Sequence, residues 1–209
     1  MNAIPEVIVV AGAPRCGTTL MMQMLEAGGF PVYHGGNRVG YECRESQEAL
    51  VVGGAGFLDT LQGKAVKLLD PQRIDVPLIR IAWVWMNRDA VQQALSQIKF
   101  MGQMFSGMRP NVERLAASIR RDNQQAPVAL SRRDRSRVLV VDFERLLTVP
   151  RAVVAEVVGF VNAPMDQEAM VQCVLPRDGR CALGLDIELS RMRMIEREEA
   201  ALAAGVRVC

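Results

Sequence analysis

Lysine is nearly absent from this 209-residue chain: of 25 basic residues 22 are arginine, and the three lysines are Lys64, Lys67 and Lys99. There is one histidine, His34, and the five cysteines (Cys16, Cys43, Cys173, Cys181, Cys209) form no CxxC pair. That leaves no recognisable zinc-ligand set, and no metal is expected. An odd number of irregularly spaced thiols fits free cysteines in a reducing compartment, so a cytoplasmic location is expected. The chain has no block of basic residues like a nucleic-acid-binding arm, and its net charge is only +2. Neither nucleic acid nor a membrane surface is therefore an expected partner. No signal peptide precedes the first apolar run, and the segment from Ile8 to Ala13 is too short to span a bilayer. Repeats, low-complexity tracts and an obvious linker are also missing.

What remains suits a globular domain. Half of the residues are hydrophobic and 23% are charged. A chain of this length buries about 70% of its unfolded surface and folds without a disulfide or metal staple. One domain over 1–209 is expected.

Residues 6–11 (Glu-Val-Ile-Val-Val-Ala) form a β-branched apolar run, the pattern of a strand buried on both faces of a parallel sheet. A Gly/Pro loop follows, then a helix over about 18–27 with Leu20, Met21, Met24 and Leu25 at helical spacing, stopped by Gly28-Gly29. Short strands are predicted over 30–33 and 64–69, with an irregular loop over 34–46 and a weakly signalled helix over 46–62. A stronger strand is predicted over 78–86, then a helix over 90–107 capped by Asn87 or Asp89, with Met101, Met104, Phe105 and Met108 read as core. Past Pro110 the pattern predicts a helix over 111–124, a buried-type strand over 138–142, and a helix over 149–162 with Pro150 in its first turn. Residues 186–204 read as a charged amphipathic helix, part of a helical extension over 165–209. Alternating strands and helices define an α/β class: a three-layer, P-loop-type parallel sheet flanked by helices.

The first strand–loop–helix carries the chemistry. Gly12-Ala-Pro-Arg-Cys-Gly-Thr18-Thr19 has the glycine spacing of a Walker A loop, which wraps phosphate with backbone N–H groups and a helix N-terminus. A Walker A loop has lysine after its second glycine. That position is Thr18 here. Thr19 keeps the Ser/Thr position, and Arg15 brings a charge from inside the loop. The loop is expected to bind a phosphate without the usual equipment for NTP hydrolysis.

Pro14-Arg15-Cys16-Gly17-Thr18-Thr19 resembles the PRSGTT loop of sulfotransferases, nearest to the tyrosylprotein sulfotransferases and related bacterial proteins. The resemblance implies that this loop holds the 5′-phosphosulfate end of 3′-phosphoadenosine 5′-phosphosulfate (PAPS). Cys16 stands where the family has serine, a nearly isosteric change that removes one hydroxyl hydrogen bond. A second match is Arg88 at a strand end with Ser96 eight residues on. In the family this pair holds the 3′-phosphate, and one guanidinium fork with a hydroxyl suits a dianion. A third is Val138-Leu-Val-Val-Asp142-Phe143-Glu144-Arg145-Leu146 with Pro150, which looks like the family's "yEdL…P" segment. Glu144 reads there as organising the strand–helix turn. The three segments cover most of 6–162.

Sulfuryl transfer through a loose transition state needs cations on the sulfonate and the bridging oxygen, and a base for the acceptor. Arg15 and the Gly17–Thr19 amides suit the first two roles by position. Lys67 lies in Gly63-Lys64-Ala65-Val66-Lys67, which resembles a family segment that supplies a lysine near the transferred group. On a strand, Lys64 and Lys67 would face opposite ways, so at most one reaches the site. For the base, the resemblance points to the loop after the first helix, where Gly40-Tyr41-Glu42 looks like a shortened "GYYE". The resemblance makes Glu42 the first candidate; His34 is the second, and in its favour imidazole as a residue type serves near neutral pH while a carboxylate needs tuning.

The implied activity is transfer of a sulfuryl group from PAPS to a hydroxyl or amine acceptor, with PAP as the spent nucleotide. The acceptor is an unidentified small molecule or peptide, bound by variable loops. One alternative is a PAP- or nucleotide-binding protein of the same fold that transfers nothing. A more remote one is a P-loop kinase or NTPase, for which Asp142 is the only good Walker B candidate. Arg177, Arg180 and the arginines of 132–137 read chiefly as solvated basic surface, the alternative being that they complete the nucleotide site or bind an anionic acceptor.

Overall fold

The computed structural model describes residues 6–34, 41, 57, 60–71, 80–104, 110–133 and 136–174. In chain order the elements are β1 (Val7–Gly12), α1 (Thr18–Ala27), β2 (Val32–Tyr33), β3 (Ala65–Leu69), β4 (Ile81–Asn87), α2 (Ala90–Met104), α3 (Val112–Ser131), β5 (Ser136–Asp142), α4 (Phe143–Thr148), α5 (Pro150–Val161) and α6 (Gln167–Gln172). The strands form one sheet in the order β2-β3-β1-β4-β5, with every neighbouring pair parallel.

The apolar run of β1 is buried throughout because helices cover both faces of the sheet. Ile8 and Val10 face one core with Met21, Met24 and Leu25 of α1, Leu146 of α4, Val153, Val154 and Val157 of α5 and Met170 of α6. Val7, Val9 and Ala11 face the other, with Trp83 and Trp85 of β4, Leu61, and Ala126 and Leu130 of α3. Helix α2 stands further out, joined to α3 through Ala90, Ala94, Ala116 and Ile119. The result is the expected three-layer α/β arrangement.

Several boundaries differ from the sequence reading. The strand expected over 30–33 is only Val32–Tyr33, and residues 60–64 are turn and bend rather than the end of a helix. Most of the proposed 46–62 helix lies outside the described residues, as do Phe105, Met108 and the whole of 175–209, including the proposed tail helix. Met101 is half-buried. The helix expected to end near 124 continues to Ser131 with Pro127 inside it. Pro127 removes one helical N–H, but Ala126 and Leu130 on either side of it are buried against the sheet, and that tertiary packing carries the helix onward. Helix α6, too short for periodicity to reveal, starts on an Asp166 cap that accepts the Ala169 N–H at 3.0 Å.

This strand order puts a topological switch at the C-terminal ends of β1 and β4. The chain leaves β1 toward β2 and β3 on one side, and leaves β4 toward β5 on the other. The crevice between two such strand ends is where open α/β sheets bind ligands. The Gly12–Gly17 loop and Arg88 both emerge there.

Candidate active site

The loop after β1 is shaped by its two glycines. Gly12 sits at φ 154°, and a Cβ there would lie 2.5 Å from Cys16 Sγ and 2.8 Å from the Met86 carbonyl oxygen. Gly17, at φ 105°, caps α1, and a Cβ there would lie 2.5 Å from the Phe143 ring. Between them Arg15 adopts φ 70°, a left-handed conformation that costs a non-glycine residue of order 1–3 kcal/mol. Helix α1 begins with no side-chain cap and no acidic residue in its first turn. Its leading N–H groups and its dipole therefore favour an anion.

Cations reach this loop from separate elements. Lys67, on the α1 side of β3, is only 4% exposed and its Nζ donates to Thr19 Oγ1 at 2.9 Å. Lys64, just before the strand, is exposed. Arg88, just after β4, donates from Nη1 to the Arg15 carbonyl at 3.0 Å, and its guanidinium lies 4.8 Å from the centre of the Phe143 ring. Arg15 turns its side chain toward α2, where Nε donates to Ser96 Oγ at 3.3 Å and the guanidinium lies 5.3 Å from the Phe100 ring. Arg88 and Ser96, paired in the sequence by spacing alone, thus converge on one loop residue. Thr18 and Ser96 are buried polar groups, 3% and 4% exposed.

Cys16 is fully buried in the core beneath the loop. Its thiol is pushed up to about 12 by burial, against the smaller opposing effects of the Thr18 N–H, Lys67, its own N–H and Arg88. The side chain therefore packs under the loop as a protonated, unreactive thiol. At this position the side chain thus adds to the core beneath the loop.

The remaining candidates separate. His34 follows β2 at the same edge of the sheet, half-buried, its Nδ1 without a hydrogen-bond partner among the described residues. Glu42 lies outside the described residues, as do Arg177 and Arg180. Its neighbour Tyr41 is buried and its hydroxyl bonds to the Glu26 carboxylate. Asp142 accepts from Asn87 Nδ2 at 2.7 Å. Glu144 receives the Asp89 N–H at 3.0 Å, which ties the β5 turn to the start of α2 as expected of an organising residue. Arg137, from the 132–137 cluster, lies at the start of β5, the opposite edge of the sheet from the loop, and donates to Glu6 Oε2 at 2.8 and 2.6 Å. It cannot complete a site at the loop.

Sequence reasoning missed Gln93, Gln97, Phe100 and Phe143. Gln93, Ser96, Gln97 and Phe100 fall at i, i+3, i+4 and i+7, so they share one face of α2. That spacing was a usable signal once Arg88 and Ser96 had placed the helix beside the loop. Among the described residues no group of three or more His, Cys, Asp or Glu could hold a metal ion, and no helix is long and apolar enough to cross a membrane.

The donor set fits a phosphate or sulfate ester: a glycine-shaped loop, an uncapped helix start and a buried ammonium at one point. The fold is a P-loop-type α/β fold. No family model matches the chain, and no curated protein matches it. Among solved structures it is similar to the mouse sulfotransferase SULT7A1 complexed with PAP, at a TM-score of 0.51 and 10% identity, over 81% of this chain and 62% of that one. Two others are the sulfotransferase domain from the curacin biosynthetic pathway (TM-score 0.48, 14% identity, 86% and 81% covered) and retinol dehydratase in complex with androsterone and the inactive cofactor PAP (0.49, 15%, 83% and 64%). The chain thus spans less than two thirds of the length of SULT7A1 and of retinol dehydratase. At such identities the likeness is one of fold alone, a P-loop-type α/β fold shared with SULT7A1.

Proposed function

We propose that this chain is a PAPS-dependent sulfotransferase that passes a sulfuryl group to a hydroxyl or amine acceptor. The observation that carries the reading is the convergence of Arg15, Lys67 and Arg88, from the loop itself, β3 and the end of β4, on one glycine-shaped loop. The loop from Pro14 to Thr19, Cys16 contributing only through its backbone, would hold the 5′ end of the nucleotide. Arg88 and Ser96 would hold its 3′-phosphate. When bound, PAPS supplies a sulfuryl group already attached to a phosphate leaving group.

The work left to the chain is to hold charge in place. Lys67 is the catalytic cation of this reading. Its ammonium is withdrawn from water, where a charge acts more strongly than at the surface, and it is oriented before any ligand arrives by its bond to Thr19. Thr18 and Thr19 hydroxyls and the start of α1 complete the anion cradle. Proton removal from the acceptor falls to Glu42 or His34. Side chains fill every cationic role, and the odd number of irregularly spaced cysteines suits the reducing cytoplasm.

The test is thermal unfolding of the whole chain with PAP, PAPS, ADP and ATP, each with and without Mg²⁺, followed by transfer from PAPS to a panel of phenols, alcohols and amines. A ligand at a hundred times its Kd adds about 2.7 kcal/mol, or roughly 5–10 °C for a chain of this size. A metal-independent shift with PAP and PAPS that ADP does not match, together with transfer, is the expected result. A shift without transfer makes the chain a PAP-binding protein. A shift only with ATP and Mg²⁺ makes it a kinase-like protein and overturns the proposal.

A further inference from the structure

Gln93 is the one glutamine among the described residues with no exposure at all, and a buried amide is costly unless its groups are bonded. Its Nε2 donates to the carbonyls of Ala13, at 3.1 Å, and Pro14, at 2.8 Å. Gln97, one turn on, donates from Nε2 to the same Pro14 carbonyl at 2.7 Å. Both partners are carbonyl oxygens, so only the NH₂ end of each amide can face them, which fixes the orientation chemically. The two lone pairs of the Pro14 oxygen are thereby both used. Arg88 takes the next carbonyl, Arg15, at 3.0 Å. Three consecutive carbonyls of the loop are thus held by the segment that follows β4.

This arrangement has a consequence for anions. All peptide bonds described are trans. In a trans peptide the carbonyl and the following N–H point to opposite sides. Holding the Pro14 oxygen against α2 therefore directs the Arg15 N–H away from α2. It also stops that oxygen, and those of Ala13 and Arg15, from swinging into the cradle, where they would repel a phosphate. It fixes Arg15 in its left-handed conformation as well. The Gln93 Oε1 atom, buried and without a partner among the described residues, is the cost of placing a donor there.

We infer that Gln93 and Gln97 are positioning residues that preform the phosphate loop for the 5′ end of the nucleotide. Neither is expected to touch the reacting atoms. The inference rests on the proposed nucleotide reading for its ligand, but the clamp itself does not.

The experiment compares the unaltered chain with Gln93→Met, Gln97→Met and Arg88→Ala. Titration calorimetry gives Kd for PAP and for AMP, and hydrogen exchange follows the amides of residues 15–18 without ligand. Methionine keeps the length and apolar stem of glutamine and removes the donors. Each Gln→Met change should weaken PAP and AMP alike, by about tenfold, because the fault lies at the shared 5′ end. The PAP-to-AMP ratio should then hold for both glutamine variants and collapse only for Arg88→Ala. If the unaltered chain binds PAP and both glutamine variants match it, the inference is overturned and the proposed function stands. If the unaltered chain binds no PAP, the proposed function falls and exchange decides the clamp. Faster exchange in the Gln→Met variants, most easily read in the half-buried Gln97→Met should Gln93→Met fail to fold, supports it. Unchanged exchange overturns it.

Discussion

At the C-terminal ends of β1 and β4, Arg88 donates to a backbone carbonyl and Arg15 to a serine hydroxyl. At the start of β5, on the opposite edge of the same sheet, Arg137 is held by the Glu6 carboxylate and lies 4.3 Å from the Phe160 ring. The first edge collects positive charge around buried polar groups. The second neutralises it. A carboxylate partner offsets a guanidinium's charge, whereas a carbonyl or hydroxyl partner mainly fixes its direction. The comparison teaches that the place of an arginine in the fold, at a glycine-shaped loop or against a carboxylate at the far edge, says more about its work than the abundance of arginine does.

The sharpest way to break this contrast is to neutralise Lys67. Lys67→Met should lower kcat by about 10²–10³ if the buried ammonium acts as proposed on charge that develops in the transition state. Stability in urea should stay within about 1 kcal/mol of the unaltered chain, since removing a buried charge relieves a desolvation cost while its bond to Thr19 is lost. Loss of less than threefold in kcat would remove Lys67 from the mechanism. Loss of stability with proportionate loss of activity would make it structural, like Arg137.

The next effect is conformational. Gly17→Ala forces a left-handed φ of 105° on a residue with a Cβ and drives that carbon against the Phe143 ring. The expected destabilisation is about 2–4 kcal/mol, read as a lower urea midpoint. Because Phe143 also underlies the Arg88 guanidinium, the residual folded protein should bind PAP more weakly than stability alone explains. Normal stability would mean that the ring gives way and does not fix the loop.

Cys16 gives a pH signature for the loop edge. Its folded pKa is raised, so the folded chain keeps a proton that the unfolded chain releases. Stability is therefore whole below the unfolded value near 9 and is lost as pH rises from there toward about 12. The slope in that window should approach 1.4 kcal/mol per pH unit. Urea unfolding of the unaltered chain and of Cys16→Ala at pH 8, 10 and 11 isolates it. Parallel pH profiles would show that the thiol is not sealed from water.

Much of the loop edge was legible because its signals are local. The β-branched run of β1, the glycines at 12 and 17 and the rarity of lysine around Lys67 each speak within a few residues. Lys67 rather than Lys64 faces the loop for the reason period-two geometry supplies. The clamp was not legible. Glutamine on a helix has no signature of its own, and the carbonyls that Gln93 and Gln97 hold are 80, 79 and 83 residues away. The course of α3 past Pro127 was hidden for the same reason: Ala126 and Leu130 gain their stability from a sheet that no local window contains. The burial of Cys16 escaped because a side chain in a turn can face either way until Gly12 closes over it. The partner of Arg137 escaped because Glu6 lies 131 residues away in the sequence.

The smallest effect tests the other half of the contrast. Arg137 and Glu6 are partly exposed, 38% and 21%, so solvent screens their attraction. A double-mutant cycle of Arg137→Met and Glu6→Gln should return a coupling of about 0.5–1 kcal/mol in urea unfolding, with Arg137→Met costing somewhat more because it also loses the Phe160 ring. Lowering the salt should enlarge the coupling and raising it should shrink it. The affinity for PAP should not move in any of the variants, since the pair sits across the sheet from the loop. A change in PAP affinity beyond threefold with stability unchanged would show the two edges to be coupled through β4 and β5. The division of the arginines into structural and ligand-facing sets would then fail at its simplest member.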